Sequence, residues 1–331
     1  MKRGWRNVVL GVSSTCAILI AAAFVFGQSG VSPGSDWPVW SDHPAEGERE
    51  AVKKEIADFA AKVAEPPIEP RIDPVWKAIP GYAGLRLDEE TTLRHAMQKG
   101  NKEGSWVPVF EVVAPKQRLS DLPPEAVYRG NPNKPTISLL INVAWGEEHL
   151  AAMLDILQHH DAKATFFFDG RWLSQHPEWG KAILAQGHEI GNHGYSHKMM
   201  SRLSEAEIKS EIGKTQQVIL ERLGIESQWF APPAGDYDDR VVQVARQMGL
   251  VTILWTLDTV DWKHPPASQI TGRLIPQLSA GSLILMHPTA SAVAALPSLI
   301  AGAKEKGLAI ETVGGILSQK RLEQVEPLIQ F

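Results

Sequence analysis

The chain has 331 residues, room for about two domains. Hydrophobic residues are 44% and charged residues 21%, which fits a folded protein and excludes a wholly disordered one. A formal net charge of −5 offers no basic field to nucleic acid, and the one cysteine, Cys16, excludes an intramolecular disulfide framework and a Cys-based zinc site, leaving His, Asp and Glu as the only metal donors.

Lys2, Arg3 and Arg6 precede an uncharged apolar run over 8–26. This is the pattern of an export signal, and it is also long enough to span a bilayer once. Residues 1–27 therefore read as a signal peptide or a membrane anchor, with the rest of the chain outside the cytoplasm. Residues 28–45 are rich in Gly, Ser and Pro and read as a linker. Helical spacing over 46–64 puts Val52, Ile56, Phe59 and Val63 on one face. Prolines 66, 67, 70 and 74 end it, and 107–113 reads as a strand. Residues 46–130 form a small α+β region without recognisable site chemistry.

From residue 134 to about 320, short apolar runs alternate with longer amphipathic stretches. Strands are expected at 136–143, 164–168, 189–192, 228–230, 251–257, 282–286 and 309–312. Helices are expected at 147–160, 172–186, 205–223, 239–248, 268–278 and 293–306. Ser204 and Glu207 make a capping box before the third helix. Gly187, Gly224, Gly249 and Gly307 stand where helices close. Seven strands alternating with helices imply an α/β fold with a parallel sheet, here a distorted (β/α)7 barrel. Its chemistry belongs at the C-terminal ends of the strands.

The third strand runs into His193-Gly-Tyr-Ser-His197, two histidines four apart that one metal could share. The fourth ends in Ala231-Pro-Pro-Ala-Gly-Asp-Tyr237, a stiff turn whose backbone N–H groups could face a ligand. The fifth ends in Asp258-Thr-Val-Asp261-Trp262, and the sixth in Leu285-Met-His287. A histidine at a buried strand end can serve as a general acid.

Together these segments resemble the NodB-type polysaccharide deacetylases, carbohydrate esterase family 4, over roughly 134–317. The resemblance implies that His193 and His197 hold a divalent ion, usually Zn²⁺. It places Pro233, Gly235, Tyr237, Trp262 and Leu285 along a substrate groove and makes His287 the acid that protonates the leaving amine. Asp258 or Asp261 would orient that histidine. The first motif departs from the family's Thr-Phe-Asp-Asp-Gly, reading Asn142-Val-Ala-Trp-Gly146. Ala144 stands at the general base and Trp145 at the third metal ligand. Ala231 stands at the arginine that pairs with the base. Asn-Val-Ala-Trp-Gly with Ala-Pro-Pro is similar to the sporulation-associated, YlxY-type branch, pointing to a peptidoglycan-like glycan.

The missing group is a carboxylate beside the metal. Asp169, at the end of the second strand, is the candidate third ligand or base, or else the cap of the helix that follows. Asp236, Glu147 and Glu148 are weaker candidates on adjacent loops. With only two ligands, metal binding would be weak or absent. Trp145 would then stack on a sugar ring, among Trp172, Tyr195, Tyr237 and Trp262. Two activities follow. One is metal-dependent hydrolysis of the N-acetyl amide of a cell-wall glycan. The other is glycan binding or spore-envelope assembly in the same groove without turnover.

Overall fold

The amphipathic stretch after the linker forms α1 (Glu46–Val63), which buries Val52, Ile56 and Ala60 against Leu87 and Ala96. β1 (Arg71–Asp73) and β2 (Lys77–Ile79) pair antiparallel. β3 (Gly84–Leu87) and β4 (Phe110–Val113) pair antiparallel around α2 (Glu89–Gln98). β4 is shorter than the expected 107–113, because Pro108 has no N–H to give a ladder. The computed structural model describes residues 46–98 and 106–322. The expected signal or anchor at 1–27 and the linker at 28–45 lie outside the described residues. No helix among the described residues is long and apolar enough to cross a membrane.

The second region is built on β5 (Thr136–Val143), all eight residues of which are buried. Ile137, Leu139, Ile141 and Val143 pack with the surrounding helices, whereas Leu140 joins Phe167, Ala231, Ile253 and Leu283 in the interior. Burial on both faces is what a parallel sheet covered by helices requires. The other strands are β6 (Thr165–Phe168), β7 (Glu189–Asn192), β8 (Trp229–Phe230), β9 (Val251–Thr252), β10 (Leu257–Asp258), β11 (Leu283–Met286) and β12 (Ala309–Ile310). Their order is β10-β11-β5-β6-β7-β8-β9, all parallel, and β12 adds to the start of β5.

The helices are α3 (Leu150–His159), α4 (Gly170–Gln175), α5 (Pro177–Ala185), α6 (Glu205–Leu223), α7 (Asp239–Gln247), α8 (Ala267–Leu274), α9 (Ala290–Glu305) and α10 (Val313–Leu317). The expected helix over 172–186 is two helices. Pro177 cannot donate within a continuous helix and instead starts α5. Pro276 likewise ends α8 in a 3₁₀ turn. The Ser204–Glu207 capping box is present, and the four helix-closing glycines all take positive φ.

The expected single strand over 251–257 is divided. β9 pairs with β8 and β10 pairs with β11, at opposite edges of the sheet. Between them the chain turns its hydrogen bonds to new partners. Leu254 N–H donates to Val127 O, and Thr256 N–H to Leu283 O. Residues 126–131 enter this seam. Val127 bridges to Lys77 and Ile253, and Arg129 to Ser282. A Cβ on Gly281 would lie 2.6 Å from Gly130 O, so the strap and the β11 approach meet backbone to backbone. The sheet is therefore a curled half-barrel with a plugged seam, not an evenly closed seven-stranded ring.

Candidate functional site

Four strand ends converge on the expected histidines. At the end of β7, His193 is 1% exposed, and its N–H donates to Phe168 O at the end of β6. Its Nδ1–H donates to Ala231 O (2.7 Å) at the end of β8. This fixes the tautomer and leaves Nε2 with its lone pair free for a ligand. Burial and the neighbouring His197 push the His193 pKa down to about 3, so the ring is neutral at physiological pH. The His197 ring lies 5.2 Å from it at 70°, on a residue with φ +53°.

The loop carrying His197 is held by a residue that the sequence did not mark. Glu211 on α6 is 5% exposed. Its carboxylate accepts Tyr195 N–H (3.1 Å), Ser196 N–H (2.9 Å) and the Ser196 hydroxyl (2.9 Å), with Lys198 Nζ at 3.4 Å. The available signal was its helical phase, three positions after the buried Ile208, which puts a carboxylate on the inward face of α6.

On the other side, Asp261 is fully buried and accepts twice from His287. The ring Nδ1–H donates at 2.9 Å and the backbone N–H at 2.7 Å. Of the two candidate carboxylates, Asp261 therefore orients His287. Asp258 does not touch that ring. Its Oδ1 accepts Val260 N–H (2.7 Å), and its own backbone carbonyl takes Arg273 of α8. The turn between them forces Val260 to φ +54°, a costly conformation for a β-branched residue.

Trp145 projects from the loop after β5, 43% exposed, with its indole nearly parallel to the His287 imidazole (9°, centroids 5.9 Å apart). Asn142 near the end of β5 is buried, and its Oδ1 has no hydrogen-bond partner. Trp262 is 49% exposed and carries the Lys263 ammonium 4.8 Å from its ring centre. Pro233 and Gly235 form a tight turn, and Pro233 lies against Gly194 of the histidine loop. Gly235 has φ +67°, and a Cβ there would meet the Trp255 ring at 2.6 Å. Tyr237 is turned to the strap, its hydroxyl 2.8 Å from that of Tyr128. Leu285 is buried, and its carbonyl accepts Thr259 N–H.

The expected third ligand does not join the histidines. The Asp169 carboxylate caps α4, accepting Trp172 N–H at 2.9 Å. Burial pushes its pKa up, against the opposing backbone hydrogen bonds and the nearby His197. Asp236 is committed to Ser201 through both oxygens, and Glu147 points to the Trp172 indole. Among the described residues no group of three His, Cys, Asp or Glu side chains could hold a metal ion. Two imidazoles fall short of the three protein ligands of a catalytic zinc, so the residues present do not fit that ion.

The family model for polysaccharide deacetylase matches residues 129–253. The chain is 39% identical over 274 residues to the uncharacterized protein YlxY of Bacillus subtilis, covering 83% of this chain and 86% of that one. It is 31% identical over 220 residues to a peptidoglycan-N-acetylglucosamine deacetylase of Bacillus cereus, covering 65% of this chain and 77% of that enzyme. Among solved structures it is similar to a CE4 family pseudoenzyme from Bacillus anthracis (TM-score 0.75, 38% identity, 82% of this chain and 96% of that chain). A mutant of that pseudoenzyme with restored enzymatic activity is equally similar (TM-score 0.75, 37% identity, 82% and 99%).

Proposed function

We propose, from the premise that this chain belongs to the polysaccharide deacetylase family, that it binds a cell-wall glycan in the family's groove without hydrolysing it. The observation that carries this is the donor set: among the described residues no carboxylate joins His193 and His197 to hold a metal, and Asp169 caps a helix. Ala144 offers no base where the family has one.

The energetics support the same reading. A zinc-bound water ionises near pH 7, against about 15.7 for bulk water, a gap on the order of 12 kcal/mol. His287, held by Asp261, remains equipped to deliver a proton. A general acid contributes about 10²–10⁴-fold, or roughly 3–5 kcal/mol. An acid without an activated water does not close that gap. Trp145 and Trp262 stay exposed at the strand ends, and the Pro233–Gly235 turn is formed. In this reading residues 1–27 export the chain to where peptidoglycan lies.

One observation favours a second reading, retained hydrolysis: the Asp261–His287 pair and the His193 tautomer are both intact. Acetate release separates the two. The purified chain is incubated with N-acetylated peptidoglycan and chitooligomers, with and without added Zn²⁺, and its retention on peptidoglycan is measured alongside. Retention without acetate is expected. Acetate release that His193→Ala abolishes would overturn the non-hydrolytic reading.

A further inference from the structure

We infer that a cavity at the N-terminal end of the sheet, opposite the histidines, binds a primary ammonium on a short aliphatic stem. This site lies outside the glycan groove and does not depend on it. Glu189 opens β7 and Trp229 opens β8, whereas His193 follows the last residue of β7. Strand residues rise about 3.3 Å each, so the length of β7 puts the two ends roughly 13 Å apart. The cavity has a volume of about 470 Å³, the size of a small-molecule site.

Its walls come from the turns that feed β7 and β8. Leu184 and Ile225 supply apolar surface, and Trp229 a half-buried indole. Glu226 stands exposed among them. Glu189 is held by α10 and β6. Its Oε2 accepts the Gly314 N–H (2.9 Å) and the Thr165 hydroxyl (2.8 Å), and its Oε1 accepts no hydrogen bond among the described residues. A Cβ on Gly314 would lie 2.5 Å from that oxygen and 3.6 Å from the Trp229 ring, so the uncommitted oxygen and the indole close over one point of backbone. The carboxylate is set before a ligand arrives, and little side-chain entropy remains to be lost on binding.

Charge selects the ligand. Glu189 and Glu226 line the cavity, and among the described residues no lysine or arginine does. The nearby Lys163 ammonium is engaged by Gln186 O (3.0 Å). His188, in the same wall and 4% exposed, is neutral, its pKa lowered to about 4 by burial and by Lys163. An anion would meet two carboxylates with no counter-charge in the lining. A cation with an apolar stem gains the carboxylates, the indole and the aliphatic wall together. His188 adds a second requirement. Its Nδ1 accepts the Ala164 N–H (3.2 Å), so the ring proton is on Nε2, which has no hydrogen-bond partner. Buried donors are nearly always paired. A lysine residue brings a carbonyl lone pair along with its ammonium, whereas a free diamine brings ammonium groups alone.

The test is titration of the full chain with cadaverine, with Nα-acetyl-lysine amide and with uncharged pentanediol. The imidazole proton signals of His188 and His287 report where each binds, beside thermal melting of each variant. Both amines are expected to shift His188 saturably and to leave His287 in place, and pentanediol to bind at least about tenfold more weakly. Glu226→Gln, at an exposed position, is expected to weaken amine binding about threefold at unchanged melting temperature, and Glu189→Gln about tenfold. Tighter binding of the lysine amide assigns the site to a peptide side chain, and tighter binding of cadaverine to a free diamine. Pentanediol binding as tightly as the amines overturns the ammonium assignment. A His188 signal unmoved by both amines, or an amine affinity untouched by both carboxylate variants, overturns the site.

Discussion

The Glu211 carboxylate accepts both the backbone N–H and the hydroxyl of Ser196, tying α6 to the loop that presents His197. Burial pulls its pKa up, but the hydrogen bonds from Ser196 and the Lys198 ammonium outweigh it and hold the group below the ordinary glutamate value. Glu211→Gln leaves one oxygen for the Tyr195 and Ser196 N–H groups, removes the charge, and sets its amide NH2 against the Lys198 ammonium. A loss of about 1–3 kcal/mol in denaturant melts at pH 7 is expected. The sign of its pH dependence follows. A folded-state pKa below the unfolded one contributes stability that is complete above the unfolded value, about 4.3, and is lost as pH falls through the folded value. The gap between native and Glu211→Gln melts should therefore close below about pH 4.

His188 and His193 should resist protonation. Burial lowers the first to about 4 and the second to about 3, with help from Lys163 and His197 respectively. Imidazole proton NMR should show both unchanged from pH 8 to 5, a range in which an unperturbed model imidazole titrates. The unfolded chain takes up these protons below about pH 6.5 and the native one does not, so stability should fall progressively from pH 6.5 toward 4. A midpoint near 6.5 for either ring in the native spectrum contradicts this.

The missing donors can be returned one at a time. Trp145→Asp should supply a third metal ligand, and one zinc per chain should survive desalting where native loses it. Acetate release should need Ala144→Asp as well, because the base is absent otherwise. Metal content and acetate are read on the same samples. Turnover by Trp145→Asp alone would show that another group serves as base.

Val260 sits at φ +54° between Asp258 and Asp261. Glycine takes that conformation freely, and its greater entropy in the unfolded chain subtracts only part of the gain. Val260→Gly is expected to be neutral or to stabilise by up to about 1 kcal/mol, where valine-to-glycine at an ordinary position destabilises. Thermal melting of the single variant decides it.

Much of the fold was legible because burial leaves a plain pattern. The strand at 136–143 stands where an apolar run is bounded by turn residues, and α6 begins and ends on its capping box and glycine. The division of 251–257 was not legible. The apolar run is continuous, and only the tertiary course of the chain sends its two ends to opposite edges. At the site, sequence could not separate Asp258 from Asp261, since both are acidic and three apart. Burial and a backbone turn assign one to His287 and the other to Val260. Asp169 was read both as a ligand and as a cap. Its N–H partner three residues on, Trp172, is the local geometry a cap produces and a ligand does not need. Glu211 looked like one more polar residue on a long helix, because its partners lie on a loop fifteen residues earlier.

The strap at 126–131 carries a consequence for how the molecule can be divided. It occupies backbone positions that the sheet would otherwise leave raw, at Ile253, Leu254 and Ser282. A fragment cut at the start of β5 would keep every motif residue and yet display an unpaired, apolar strand margin, the kind of surface on which chains adhere to one another. The half-barrel is thus no portable cassette. The small region before it is its gasket, and the two were fitted as a single part.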